Sequence, residues 1–160
     1  MKKIIYRKLK IVSDAACRVK DAHIKGKDRK GESACGIILR NENDSILDEK
    51  GFYLGVMTNN QAEYSGLIKG MEMALEYCRN HQEFSTADIG VWMDSNDVIM
   101  QMKEEWKVKS HNLKPLHEKS KELEKRFAGN IEYFHHSRES YWGKKADRLA
   151  NEVLDRRIKN

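Results

Sequence analysis

The spacing of apolar residues changes near the middle of the chain, and this change most constrains the fold. From residue 60 to residue 80, apolar side chains recur at helical spacing, directly after Thr58-Asn59-Asn60. The segments before it are short and β-prone, at residues 9–13, 34–39 and 46–56. We therefore expect three strands in an antiparallel meander, followed by one long helix.

The second half of the chain alternates strands with helices. We predict strands at residues 89–93 and 131–134, and helices directly after Asp94-Ser95, over 113–127 and over 146–154. Crossover helices between later strands indicate parallel pairing within the same sheet. The prediction is an α/β fold, with a five-stranded mixed sheet flanked by helices.

Composition limits the classes of protein that the chain can represent. Its 160 residues carry 30 Lys and Arg against 25 Asp and Glu, a net charge of +5, which suggests an anionic partner. No apolar run reaches the roughly 18 residues of a membrane span, and the basic start lacks the apolar core of a signal peptide. We expect one domain over residues 1–160, monomeric and cytoplasmic, with no membrane partner.

The three cysteines are widely spaced, at Cys17, Cys35 and Cys78. No Cys-x-x-Cys pair is present, so neither a disulfide framework nor a cysteine zinc site is indicated. We interpret all three as buried, reduced thiols.

Four acidic residues interrupt their local patterns. We place Asp14 at the end of the first strand, Glu63 in the first turn of the long helix, Asp94 directly after residues 89–93, and Asp147 in the first turn of the last helix. If these carboxylates meet, each like-charge pair about 4 Å apart costs several kcal/mol at intermediate dielectric. A cation would relieve that repulsion, and oxygen ligands favour Mg²⁺ or Mn²⁺.

Each acid also has an ordinary structural interpretation. Glu63 can be an acid favoured by the helix dipole, and Asp14 and Asp94 can be turn residues. Asp147 can pair with a neighbouring Lys or Arg on the surface. Spacing alone therefore does not establish a site.

Four segments carry a resemblance to a known family. They are Asp14-Ala15-Ala16, Thr58-Asn59-Asn60-Gln61-Ala62-Glu63-Tyr64, Asp94-Ser95-Asn96 and Ala146-Asp147-Arg148-Leu149-Ala150-Asn151. In this order they closely resemble type 1 ribonuclease H, over nearly the whole chain. The second and fourth segments are the specific ones.

The resemblance implies an endonuclease that cuts the RNA strand of an RNA/DNA hybrid and leaves 3′-hydroxyl and 5′-phosphate ends. It implies two Mg²⁺ ions, with Mn²⁺ as an alternative, held by Asp14, Glu63, Asp94 and Asp147, with Asp14 bridging them. The metal site and the RNA/DNA hybrid as substrate are thus expectations that follow from the resemblance.

The resemblance also implies contacts with the hybrid. Thr58, Asn59, Asn60 and Asn96 match backbone and minor-groove contacts, and amide side chains can bond to a 2′-hydroxyl. Trp106 resembles an aromatic residue that lies along the DNA strand. Other roles stay open, because Asn59 and Asn60 can cap the helix and Trp106 can be a half-buried core residue.

The chain departs from the family in several places. Ala15 stands where glycine is usual, and the basic loop over residues 18–31 is longer than in other members. In this family a histidine before the last acid often assists catalysis. Here the spacing between the histidines and Asp147 is longer than usual. We predict His135 as that residue, with His136 or a plain surface role as alternatives. Residues 106–113 are too few for the basic handle helix of some members.

Two other functions fit the same fold. One is a non-catalytic module that binds hybrid or double-stranded RNA, although a pure binder gains nothing by clustering acids against phosphate. The other is a different nuclease, such as a junction resolvase or an exonuclease, which the Asn59-Asn60 segment disfavours.

Overall fold

The computed structural model describes residues 6–20 and 29–158. Within them, five strands form one sheet: β1 (Lys8–Arg18), β2 (Lys30–Arg40), β3 (Ile46–Thr58), β4 (Asp88–Met93) and β5 (Ile131–His135). Four α-helices accompany the strands: α1 (Asn59–Asn80), α2 (Asn96–Met102), α3 (Lys114–Glu124) and α4 (Tyr141–Ile158). Residues 21–28, most of the predicted basic loop, lie outside the described part of the chain.

The sheet is mixed, as the sequence predicts. Its strand order is β3-β2-β1-β4-β5. β1, β2 and β3 pair antiparallel as the expected meander, whereas β4 and β5 extend the sheet by parallel pairing. The central strand β1 therefore has an antiparallel neighbour on one side and a parallel neighbour on the other.

Helices cover both faces of the central strands. Leu9 and Ile11 of β1 pack in the large core that includes Leu67 and Met71 of α1. Val12, which points to the opposite face, packs with Ala146 of α4. A strand covered on both faces reads as a continuous apolar run, which explains the uninterrupted apolar pattern at residues 34–39.

The long helix begins where its sequence predicts, with Thr58 as its N-cap. The Thr58 hydroxyl accepts from the Gln61 backbone N–H at 3.2 Å, and the Gln61 side chain accepts from the Thr58 N–H at 2.9 Å. This capping box satisfies two backbone donors at the helix start. The capping alternative for Asn59 and Asn60 is therefore wrong, since both are the first helical residues.

The last helix begins earlier than predicted, at Tyr141. The Ser140 hydroxyl accepts from the Gly143 N–H at 3.1 Å, and the Ser140 carbonyl accepts from the Lys144 N–H at 2.9 Å. Residues 141–144, which the sequence suggests are part of a longer loop, thus form the first turn of α4. Asp147 accordingly lies in the second helical turn, not the first.

Three smaller expectations meet the structure in different ways. No helix forms between α2 and α3, as predicted for residues 106–113. All three cysteines are free, but only Cys35 is fully buried, while Cys17 and Cys78 are half-buried. Among the helices described, none has the length and apolar character needed to cross a bilayer.

Candidate active site

Asp14 lies in the middle of β1, not at its end as predicted. It stands opposite Gly36 of β2, and β1 continues to Arg18. The parallel pairing with β4, however, stops at Ser13 and Met93. The strand persists beyond that point because β2 still pairs with it, so an acid of low β-propensity sits inside a strand.

Asp94 follows β4 directly, at the same edge of the sheet. Its preceding residue, Met93, pairs with Ser13, the residue before Asp14. The two acids therefore occupy equivalent positions on neighbouring parallel strands. This register supports the convergence that the sequence predicts for these two residues.

Glu63 and Asp147 approach Asp14 from the two helices that cover the sheet. Glu63 is the fifth residue of α1, so it lies at the start of the second turn and not in the first. Asp147 directly follows Ala146, the α4 residue that packs on the sheet. The charges of Asp94 and Asp147 both act on Asp14, and those of Asp14 and Asp94 act on Glu63.

Two of the four acids are almost completely buried. Asp14 is 1% exposed and Glu63 is 3% exposed. Both carboxylate oxygens of Asp14, and Oε2 of Glu63, have no hydrogen-bond partner among the described residues. Buried polar atoms are normally paired, so this exception marks a place that suits a charged ligand.

Burial and mutual repulsion change how these acids titrate. Burial raises the pKa of Asp14 to about 7, and the charges of Asp147 and Asp94 act in the same direction. Burial also raises the pKa of Glu63 well above its ordinary value, assisted by the charges of Asp14 and Asp94. The charge of Arg138 opposes both shifts.

The other two acids are held by neighbouring side chains. Arg138 donates from Nε to Oδ2 of Asp94 at 3.1 Å. Asn151 donates from its amide to Oδ1 of Asp147 at 3.0 Å and to the Asp147 carbonyl at 2.9 Å. Neither partner belongs to the predicted site, although Asn151 ends one of the quoted family segments at four residues from Asp147.

The four predicted metal ligands are all carboxylates, which hard divalent cations prefer. Three of their oxygens are buried and have no hydrogen-bond partner among the described residues. In the arrangement described for residues 6–20 and 29–158, no three His, Cys, Asp or Glu side chains are yet placed to share one ion. Arg138 and Asn151 already hold one oxygen each of Asp94 and Asp147.

The residues predicted to contact substrate lie near these acids in the chain. Asn59 is exposed and Asn60 half-buried at the start of α1, and Asn96 is exposed at the start of α2. Trp106 is 46% exposed and belongs to none of the core clusters among the described residues, which argues against its alternative as a core tryptophan. Their contacts with a hybrid stay predictions.

The two histidines occupy different environments. His135 ends β5 and is exposed. His136 donates its backbone N–H to the Met93 carbonyl at 2.9 Å, and its Nε2 is buried with no partner among the described residues. Burial lowers the pKa of His136, while Asp94 opposes the change. The charge of Asp94 thus acts on His136, and the role predicted for His135 stays a prediction.

The sequence of the chain is similar to curated proteins from Mycobacterium and from Halobacterium. It is 33% identical over 120 residues to the bifunctional protein Rv2228c of Mycobacterium tuberculosis, which covers 74% of this chain and 30% of that protein. It is also 33% identical over 125 residues to ribonuclease HI of Halobacterium salinarum, which covers 78% of this chain and 58% of that protein. The matches thus span less than two thirds of either relative.

Solved structures share the fold over nearly the whole chain. The N-terminal RNase H domain of Rv2228c has a TM-score of 0.77 at 31% identity, covering 95% of this chain and 96% of that one. RNase H1 of Halobacterium salinarum has a TM-score of 0.73 at 30% identity, covering 92% and 98%. LC11-RNase H1 in complex with an RNA/DNA hybrid has a TM-score of 0.77 at 27% identity, covering 94% and 99%.

The family description agrees with the fold and with the quoted segments. Residues 21–153 match the family described as reverse transcriptase-like. That match covers more than half of the chain, and the solved relatives are RNase H domains. The chain belongs to the reverse transcriptase-like family and, within it, to the type 1 ribonucleases H.

Proposed function

We propose that this protein is an endonuclease that hydrolyses the RNA strand of RNA/DNA hybrids. The observation that supports the proposal is the burial of Asp14 and Glu63, three of whose carboxylate oxygens have no hydrogen-bond partner among the described residues. The charge of Asp94 acts on both, and that of Asp147 acts on Asp14. A cluster of this kind is costly in a protein that only binds phosphate. It is useful in one that recruits cations to a phosphodiester.

The four acids would hold two Mg²⁺ ions, with Mn²⁺ as a substitute. Such ions supply an activated water and stabilise the leaving oxygen, which gives 3′-hydroxyl and 5′-phosphate ends. The part of the protein is to keep the acids together. Asp14 is fixed by pairing on the central strand, and Glu63 and Asp147 are fixed by helices that pack on that strand.

Recognition of the hybrid falls to side chains around the acids. The amides of Asn59 and Asn96 are exposed, so they are free to hydrogen-bond a 2′-hydroxyl or a base edge, which distinguishes RNA from DNA. Trp106 offers an exposed ring to the DNA strand. The net charge of +5 favours a polyanion and predicts binding that weakens as salt increases. The hybrid complex of LC11-RNase H1 supports this partner.

The test is digestion of an RNA/DNA hybrid labelled on either strand, beside duplex DNA and duplex RNA, with Mg²⁺ or with a chelator. We expect cleavage of the RNA strand of the hybrid, dependent on the ion, at internal positions. A shifted hybrid without products, in both Mg²⁺ and Mn²⁺, would show a binding module instead. Cleavage of the DNA strand would indicate another class of nuclease.

A further inference from the structure

One cation of the protein itself forms an ion pair with an acid of the proposed site. Arg138 belongs to the turn between β5 and α4, 44 residues from Asp94, and its Nε lies 3.1 Å from Oδ2 of that acid. Its charge also attracts those of Asp14 and Asp147, and it acts on Glu63 as well. The charge of a single guanidinium therefore acts on all four carboxylates, and the contact shown is with Asp94.

Hydrogen bonds hold the backbone around Arg138, while its side chain is mostly exposed. The His136 N–H donates to the Met93 carbonyl at 2.9 Å, and the Ser140 N–H donates to the Ser137 carbonyl at 3.0 Å. The Arg138 side chain itself is 61% exposed, against 24% for that of Asp94. The turn thus carries the guanidinium to the acids without enclosing it.

The buried acids provide a second observation that points to a cation. Asp14 and Glu63 have three buried carboxylate oxygens without hydrogen-bond partners among the described residues. Among residues 6–20 and 29–158, Arg138 forms an ion pair with the half-buried Asp94 alone, so it reduces the repulsion without satisfying these oxygens. A small divalent ion would do both, but the positive charge of Arg138 beside Asp94 would oppose its binding there.

We propose that Arg138 is the counter-ion of the metal-free acid cluster and competes with divalent ions for Asp94. This inference rests on the proposed function, since it requires that the acids bind metal. In this arrangement the guanidinium keeps the acids together when no ion is bound. It then leaves Asp94 as the ion arrives.

The experiment measures Mn²⁺ binding by calorimetry, without substrate, to the full chain and to Arg138→Gln. Loss of the competitor should tighten binding by about two- to five-fold, the range that a partly exposed ion pair commonly contributes. Arg148→Gln is the matched control, because Arg148 is an exposed arginine beside Asp147 with no ion pair among the described residues. Arg138→Lys keeps the charge, so its affinity should stay nearer to that of the unmodified chain.

A second readout follows the guanidinium directly. In the unmodified chain, the Arg138 Nε–H resonance should shift as Mg²⁺ is added, with the same midpoint as ion binding. If Arg138→Gln binds Mn²⁺ no more tightly than the unmodified chain, the proposed competition alone is overturned. The same holds if Arg148→Gln tightens Mn²⁺ binding as much as Arg138→Gln does. Equal Mn²⁺ binding by the unmodified chain and by Asp94→Asn would overturn the metal site, and the competition with it.

Discussion

Gly36 of β2 and Ala146 of α4 lie so close that a Cβ atom on Gly36 would stand 1.9 Å from the Ala146 carbonyl oxygen. Gly36 is the residue opposite Asp14 across the β1–β2 pair, and Ala146 directly precedes Asp147. This backbone contact therefore sets the separation between two of the four acids. The glycine is needed for close approach of the helix, which no residue with a side chain would allow.

Gly36→Ala should therefore push α4 away from the sheet. We expect a loss of stability of about 1–3 kcal/mol, as is common when a packed site is overfilled, and a larger fractional loss of cleavage. Urea unfolding and hybrid digestion measure the two effects. Gly70→Ala is the control, because it also adds a methyl group at a tight contact, with Cγ2 of Ile11 at 2.9 Å. That contact is with a side chain and not with the backbone of α4, and alanine favours the helix that contains Gly70. Equal effects of the two substitutions would contradict the explanation.

The raised pKa of Asp14 predicts how metal-free stability depends on pH. Its folded value is about 7 against an ordinary value of 3.8, so between these values the folded protein holds a proton that the unfolded chain lacks. Stability should therefore fall as pH rises from about 4 to about 7, by on the order of 4 kcal/mol for this group.

Asp14→Asn removes this group and should flatten that part of the pH profile. The measurement is urea unfolding in a chelator at pH 5 and at pH 8, for the unmodified chain and for the variant. The variant should gain stability relative to the unmodified chain at the higher pH. An identical pH dependence of the unfolding free energy in both proteins would show that burial and repulsion do not raise the pKa of Asp14.

The exposed ring of Trp106 should contribute to hybrid affinity and not to folding. Trp106→Ala is expected to weaken binding by roughly 1 kcal/mol or more, the scale of aromatic contacts with nucleic acid, at an unchanged melting temperature. Trp142 is the matched control, because it packs beside Val12, Ile38 and Ala146. Trp142→Ala should lower the melting temperature instead.

Fluorescence anisotropy with a labelled hybrid, in a chelator to prevent cleavage, reports the affinity of both tryptophan variants. Unchanged affinity in Trp106→Ala would remove this residue from the proposed interface. A lower melting temperature in the same variant would instead favour a structural role for its side chain.

Much of the architecture follows from the spacing of apolar residues. All five strands, the long helix and the mixed sheet are confirmed, because periodicity reports which faces are buried. The end of β1 and the start of α4 are wrong in the prediction. Pairing with β2 carries β1 past Asp14, and the Ser140 cap starts α4 at Tyr141, before the apolar positions at Ala146 and Leu149 on which the prediction rests.

The site is predictable only as far as its acids. Asp14 and Asp94 can be matched through parallel register, and Glu63 and Asp147 through their family segments. Arg138 was missed, because its ion pair with Asp94 spans 44 residues and depends on the path of an irregular turn. Choosing between His135 and His136 likewise depends on side-chain direction, which alternates along β5.

The most direct test of the proposed function compares cleavage of an RNA-labelled hybrid by the unmodified chain, Asp94→Asn and Asp97→Asn, in saturating Mg²⁺. Asp97 is an exposed acid in the first turn of α2, so its variant controls for the lost charge. Asp94→Asn should fold normally and cut at least about a hundred-fold more slowly, since even outer partners of metal sites commonly cost about 10- to 100-fold. Asp97→Asn should cut normally. Turnover by Asp94→Asn close to that of the unmodified chain would contradict the account.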